Sequence, residues 1–370
     1  MVRSGALHPL GAVGDAAAYP THTISMTKLE AAGNDFLVVL DDSRGEDVSL
    51  TPAQVRALCD RHRGVGADGL IVGRLVAPRA RAAAGARADG SPEAGPLGAR
   101  ADGSPEAGPL GAAPADLEMV LHNADGSEAE MSGNGIRCLV HAAVLAGLVV
   151  GGDVRVSTGA GLRTVFYEPG AEPGDEPGAE PGAEPGDEPG AGGGAWARVS
   201  MGPVRLGREV ESVLPGTRAR LADVGNPHLV VIGDVVLEAV DLEALGAASA
   251  QVAGRPVNLE VVRPGRGGAD LELRVLERGV GETLACGTGS CATAAVARAF
   301  GMVGSVVQVD NPGGRLEVRL GDAADAGDGD GDAGFDWAEL GGPVRKVADV
   351  EVETSFFASS RFLASSSADA

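Results

Sequence analysis

The strongest constraint on this chain is that it contains itself twice. AAGNDFLVVLD at 31–41 runs alongside DVGNPHLVVIGD at 223–234. Gly33 meets Gly225, Asn34 meets Asn226, and Leu-Val-Val follows in both. Further on, NADGSEAEMSGNGIRC (123–138) matches ERGVGETLACGTGSCA (277–292) without a gap. Glu128 falls on Glu282, Gly133 on Gly287, Gly135 on Gly289, and Ser132 on Cys286. Asn34 and Ser132 are 98 residues apart, whereas Asn226 and Cys286 are 60 apart. The difference of 38 is close to the length of a repetitive insertion around 80–115. Two homologous halves follow, each expected to be a sheet wrapped on one central helix. A site between two such halves can grip one carbon from opposite faces, which is what inverting a stereocentre requires.

Low-complexity tracts break up the halves. ARADGSPEAGPLG at 86–98 is repeated without change at 99–111, and EPG followed by Ala or Asp recurs six times in 168–191. Such composition buries too little apolar area to offset ordering entropy, so both tracts read as disordered surface insertions of neutral repeat expansion. GDAADAGDGDGDAG at 321–334 resembles a shorter one. The expected organisation is a disordered leader over 1–25, an N-terminal half over 26–165 with its insertion at 80–115, and the EPG tract at 166–194. A C-terminal half at 195–350 and a tail at 351–370 follow. FLVVL (36–40), LIVG (70–73), LEMVLH (117–122), VRVST (154–158), LVVIGD (229–234), LELRVLE (271–277) and LEVRL (316–320) have strand character. IRCLVHAAVLAG (136–147) and SCATAAVARAFG (290–301) predict helices, each ending at Gly.

Composition narrows the function classes. The formal charge of −22 argues against nucleic acid or an anionic membrane as partner and leaves a small-molecule substrate. Cys59, Cys138, Cys286 and Cys291 form no Cys-x-x-Cys pair, and their spacing suits neither zinc nor a disulfide framework. Reduced thiols, no membrane-length apolar run and no clean signal peptide point to the cytoplasm. A homodimer is left open.

The chemistry centres on the two G-x-G strings. Ser132-Gly-Asn-Gly leads into one predicted helix and Cys286-Gly-Thr-Gly into the other. Glycines allow close backbone approach, and the first N–H groups of a helix are free donors. Two helix N-termini aimed at one spot bind a carboxylate and spread the charge of a developing enolate. A thiol at such a position is expected to have its pKa drawn toward neutrality, making Cys286 an acid or base for an α-proton. A pyridoxal mechanism needs a Schiff-base lysine, and the two lysines, Lys28 and Lys346, stand in no glycine-rich phosphate context. The six histidines supply no metal-ligand cluster, so neither cofactor nor metal is expected.

The strings AGNDF (32–36), RHRGVGADGL (61–70), NADGSEAEMSGNGIRC, GNPHLVV (225–231) and ERGVGETLACGTGSCA closely resemble the diaminopimelate epimerase family. The resemblance spans about 27 to 350 outside the insertions. It implies an α/β fold of the α+β type with two pseudo-symmetric domains, each a mostly antiparallel sheet around a central helix. It also implies cofactor-independent conversion of LL- to meso-diaminopimelate for lysine and peptidoglycan precursors. By resemblance, Asn34, Asn123, Asn226, Asn258 and Arg278 hold polar groups of the substrate. Gly133-Asn134 and Gly287-Thr288 present helix N-termini to the α-carboxylate, and His228 and Glu277 assist proton transfer.

The family pattern has cysteine where this chain has Ser132. A hydroxyl is a far weaker acid than a thiol and could act only poorly, or by relaying a proton through water to Glu277 or His228. Three readings stay open: an epimerase using Cys286 with a Ser132-linked relay, a divergent racemase, isomerase or lyase, and a weakly active or merely amino-acid-binding paralogue. The intact substrate-holding strings favour the first. Glu128 and Glu282 are read as partners of helix or loop backbone, and Cys59, Cys138 and Cys291 as buried core.

Overall fold

The computed structural model describes residues 23–41, 49–76, 115–170, 194–265, 270–324 and 334–358. Most of the duplicated 13-residue strings, of the EPG tract and of the acidic tract after 324 lies outside the described residues, as does the leader up to residue 22. The elements run in chain order. They are β1 (Thr23–Ala31), β2 (Asn34–Asp41), α1 (Pro52–Cys59), β3 (Gly69–Leu75), β4 (Leu117–Asn123), β5 (Glu128–Ala129), α2 (Gly133–Leu145), β6 (Gly152–Thr158) and β7 (Gly161–Pro169). Then come β8 (Gly194–Val210), β9 (Arg218–Asp223), β10 (Pro227–Ile232), α3 (Leu242–Ala253), β11 (Asn258–Pro264), β12 (Leu271–Glu277), β13 (Gly281–Thr283) and α4 (Gly287–Ala299). β14 (Val306–Asn311), β15 (Gly314–Leu320), β16 (Ala323–Ala324) and β17 (Gly334–Glu353) complete the set.

The duplication is visible in the pairings. In the first half β1 and β2 form a hairpin, β2 runs parallel to β3, β3 and β4 are antiparallel, and β4 runs parallel to β6, which pairs β7. In the second half β9, β10, β11, β12, β14 and β15 repeat that sequence step for step. Two long strands join the halves: β8 pairs β7 and β9, β17 pairs β15 and β1, and β8 and β17 pair with each other. Each half is therefore a closed ring of eight strands, and the two rings share β8 and β17. Closure leaves neither ring an unpaired edge. Both shared strands come from the segment predicted as the C-terminal half, so that half supplies wall to both rings.

Each ring is filled by one helix. α2 is buried at every position from Gly133 to Ala143, and α4 from Gly289 to Ala297. A helix apolar around its whole circumference has no solvent face and belongs inside a protein. GNGIRCLVHAAVL and GTGSCATAAVARA come close to that condition with small and aliphatic residues, and the buried Arg137 and His141 of α2 are hydrogen-bonded inside. The surrounding strands alternate, as in β12, where Leu271, Leu273 and Val275 point inward between more exposed positions. Both helices start three residues earlier than predicted, because the G-x-G glycines form their first turn. The expected architecture is present: a mostly antiparallel α+β fold of two pseudo-symmetric units, each around a central helix.

Candidate active site between the two helix mouths

The duplicated Ser and Cys occupy the same structural position. Ser132 is the N-cap of α2, and its Oγ accepts from the Gly135 N–H at 3.0 Å. Cys286 is the N-cap of α4, and its Sγ accepts from the Gly289 N–H at 3.4 Å. Side-chain caps of this kind satisfy one of the first-turn amides that have no helical partner. The next residues meet: a Cβ built on Gly287 would stand 3.6 Å from the Gly133 Cα. It would also stand 2.7 Å from Leu340 Cδ2, and one built on Gly133 would stand 2.8 Å from that same atom. Leu340 lies on the shared strand β17, so the first glycine of each string lets both helix mouths close on one side chain.

Around Cys286 the structure gathers most of the predicted residues of the second half. Cys286 Sγ lies 3.4 Å from Glu277 Oε2, and Glu277 Oε1 accepts from the Thr283 hydroxyl at 2.6 Å. Sγ is 3.5 Å from Thr288 Oγ1, which accepts from Asn226 Nδ2 at 3.3 Å. Asn226 Oδ1 faces His228 Nε2 at 2.9 Å, and His228 Nδ1 faces Glu260 at 2.7 Å. Asn258, beside His228 in the parallel register, accepts through Oδ1 from the Arg278 backbone N–H at 2.9 Å. The exposed Arg278 side chain makes no ion pair among the described residues.

The electrostatics correct one expectation. The helix N-terminus does not draw the Cys286 thiol toward neutrality. Burial pushes it well above its usual value, and the nearby Glu277 and Glu260 push it further. Contacts from Thr288 and the Gly289 N–H pull the other way but do not prevail. Cys286 is 5% exposed, and desolvation of the thiolate outweighs the helix dipole. The site thus holds a thiol whose Sγ donates to the Glu277 carboxylate at 3.4 Å.

Around Ser132 the set is sparser. Asn134 Nδ2 donates to Asn34 Oδ1 at 2.6 Å, which brings those two predicted residues together at the mouth of α2. Asn34 is held in turn by Asp68, itself tied to Arg61 and through it to Asp35. Asn123 is exposed, and its amide donates to Ser127 Oγ at 3.0 Å within its own turn. Among the described residues Ser132 shares no direct hydrogen bond with Glu277 or His228. Glu282 also departs from expectation: its carboxylate takes a forked pair of bonds from Arg274 at 2.7 and 2.8 Å rather than binding backbone. Cys59, Cys138 and Cys291 are buried and reduced.

Two buried polar residues at the helix mouths went unread in the sequence. Arg137 on α2 is fully buried and donates to Asn134 Oδ1 at 2.8 Å and to the Gly133 carbonyl at 3.2 Å. Burial brings its guanidinium down to about 10. Glu260 sits inside an apolar strand string, NLEVV, where pattern alone marks it only as an interruption. Among the described residues no group of three or more His, Cys, Asp or Glu could hold a metal. None of their helices is long and apolar enough to cross a membrane.

Comparison with known proteins identifies the family and the fold. A family model described as diaminopimelate epimerase matches residues 110–171 and 220–330. The diaminopimelate epimerase of Azoarcus sp. (strain BH72) is 32% identical over 304 residues, covering 80% of this chain and 90% of that protein. Those of Rhodococcus erythropolis and Acidothermus cellulolyticus are 36% and 37% identical, each over 80% of this chain and over 92% and 89% of their own lengths. Two solved structures share the fold at low identity. A Bacillus anthracis phenazine biosynthesis protein of the PhzF family has a TM-score of 0.58 at 13% identity, over 90% of this chain and 99% of its own. A hydroxyproline epimerase from Agrobacterium vitis has a TM-score of 0.55 at 14% identity, over 90% and 93%.

Proposed function

The chain belongs to the diaminopimelate epimerase family, and from that membership we propose that it is a cytoplasmic isomerase that inverts one α-carbon of LL-2,6-diaminopimelate to the meso form. The observation that carries this is the Cys286–Glu277 contact at 3.4 Å, placed at the mouth of α4 where Gly287 abuts Gly133. Glu277 takes the thiol proton, the resulting thiolate abstracts the α-proton, and the negative charge passes to the substrate carboxylate. The free amides of both first turns face that carboxylate and stabilise the enediolate. Nothing in these steps calls for a cofactor. Ser132, the matching cap, returns a proton on the other face from its hydroxyl and is recharged from solvent. Asn34, Asn134, Asn226, Asn258 and Arg278 hold the remaining polar groups of the substrate, with Arg278 as the planar fork for a carboxylate. Asn123 holds a further polar group from its turn.

The test is incubation with LL-diaminopimelate in deuterium oxide, following label at the α-carbon and formation of the meso isomer, with Cys286→Ala as control. Uptake that depends on Cys286 is expected, and no uptake above buffer at high protein concentration overturns the proposal. Ser132 favours a second reading, one-sided exchange. There label enters the starting isomer much faster than meso product forms.

A further inference from the structure

Glu260 is a carboxylate with no solvent exposure, on β11 beneath the first turn of α4. Its Oε1 lies 2.7 Å from His228 Nδ1, and its Oε2 has no hydrogen-bond partner among the described residues. The fold makes room for it: a Cβ on Gly289 would stand 2.6 Å from Oε1. The first half has no counterpart. Asn258 pairs with His228 as Gly69 pairs with Phe36, so two residues on, Glu260 answers to Ile71. There a Cβ on Gly135 would meet Ile71 Cδ1 at 3.1 Å. A buried carboxylate is costly, so one placed in only one of two duplicated cores calls for an account of what it holds.

The hydrogen positions follow from what each partner can do. Asn226 Oδ1 can only accept, so His228 Nε2, 2.9 Å away, carries a hydrogen. A further proton lies between Nδ1 and Glu260. Asn226 Nδ2 donates to Thr288 Oγ1, which leaves the threonine hydroxyl hydrogen for Cys286 Sγ at 3.5 Å. Were the only imidazole hydrogen on Nδ1, Asn226 would have to turn over. The Thr288 hydroxyl would then donate to the amide oxygen and not to sulfur. We infer that Glu260 is a positioning residue: through His228, Asn226 and Thr288 it sets the direction of a hydrogen-bond chain that ends by donating to the Cys286 sulfur. This deepens the assignment of Cys286 as the acid–base group and rests on it.

The experiment reads the thiol without substrate, so its outcome is separate from turnover. The rate of Cys286 alkylation by iodoacetamide is followed against pH, with the modified peptide identified by mass spectrometry. The ionisable groups acting on Cys286 are Glu277 from β12 and Glu260 from β11, and His228 from β10 is bonded to Glu260. Glu260's own charge raises the thiol pKa, but the shared proton leaves the His228–Glu260 pair neutral overall, so Glu260→Ile changes no net charge and the lost hydrogen-bond donation decides the sign. Loss of the donated bond should raise the alkylation midpoint by about one pH unit, a tenfold fall in thiolate at fixed pH. Glu260→Gln, whose amide can donate to Nδ1 and keep the hydrogen on Nε2, should recover most of that shift. Thr288→Val should match Glu260→Ile, and the double variant should exceed neither.

A fall in the midpoint for Glu260→Ile would show that the carboxylate acts as a bare negative charge and overturn the inference. So would an unmoved midpoint or additive effects in the double variant. Ile71 at the equivalent place indicates that the fold accepts isoleucine there. Should that variant not fold, the wild-type 1H–15N spectrum decides, since a proton shared between His228 Nδ1 and a carboxylate resonates far downfield of an ordinary imidazole N–H, and its absence overturns the inference.

Discussion

Replacing Ser132 by cysteine asks whether the missing thiol limits turnover. The two caps are near copies in geometry. Ser132 sits at φ −136° and ψ 125°, and Cys286 at φ −125° and ψ 115°. A Cβ built on Gly135 or Gly289 would stand 3.2 Å from the cap Cβ in either half. The space that accepts sulfur at 286 is therefore repeated at 132. A positioned acid or base contributes roughly 10²–10⁴-fold, equivalent to about 3–5 kcal/mol of barrier. Ser132→Cys should raise the rate of meso-diaminopimelate formation within that range. Sulfur is the weaker cap, so the variant should lose about 0.5–1 kcal/mol of stability and melt a few degrees lower. The assay follows meso product by chiral chromatography beside deuterium uptake, at matched folded concentration. A folded variant whose rate equals or falls below that of the parent refutes the reasoning. It would mean that Ser132 is not where the second proton is handled.

Cys286→Ala should cut α-deuterium uptake by at least about 10²-fold while leaving the circular dichroism spectrum unchanged. Gly287→Ala should cost about 1–3 kcal/mol in urea unfolding, because its Cβ would stand 2.7 Å from Leu340 Cδ2. Adding Leu340→Ala should then cost less than the sum of the two single changes. Arg137→Met removes the brace on Asn134 Oδ1 and should raise KM by about tenfold, the worth of one charge-assisted bond, as read from initial rates. Burial pushes the Cys291 thiol from 9.0 to about 12. Its folded form keeps its proton longer than the unfolded chain does, so its contribution is whole below about pH 9 and is lost as pH rises toward 12. Urea unfolding at pH 8.5 and 10.5 should show a shallower alkaline loss for Cys291→Ala than for the parent, by up to about 1.4 kcal/mol per pH unit.

Repetition made the architecture legible. The aligned strings fixed two halves, and the strands predicted at 36–40, 70–73, 117–122, 154–158, 229–234, 271–277 and 316–320 all appear, the fifth ending two residues early at Ile232. The helix starts were misplaced by a turn because glycine is a poor helix former and reads as loop. Here it is required by the approach of Gly133 to Gly287 at Leu340. The sharing of β8 and β17 was not legible, since strand pairing between sequence-distant segments leaves no local trace. Within the site the sequence placed Cys286, Glu277, Asn226, His228 and Thr288 together through the motif. It gave no sign that Arg137 and Glu260 are buried, because a charged residue in an apolar run looks the same whether it points to water or to a partner.

The duplication also shows why one half can carry more of the chemistry than the other. Gene-level repetition supplies two matching helix mouths, which on the proposed reading bind a carboxylate from both sides. It does not keep the supporting residues equal. Where the second half has Glu277, His228, Asn258 and Glu260, the first has Asn123, Phe36, Gly69 and Ile71 at the matching places. The ionisable members of the set therefore stand on one side only. A cysteine at 132 would lack both a carboxylate like Glu277 and a histidine of its own half, so any acid there depends on solvent or on groups reaching across the interface. Serine at that position keeps the cap bond to Gly135 at 3.0 Å and gives up the thiol. The structure thus preserves the paired caps while gathering the ionisable groups around Cys286 alone, which on the proposed reading is where the proton chemistry falls.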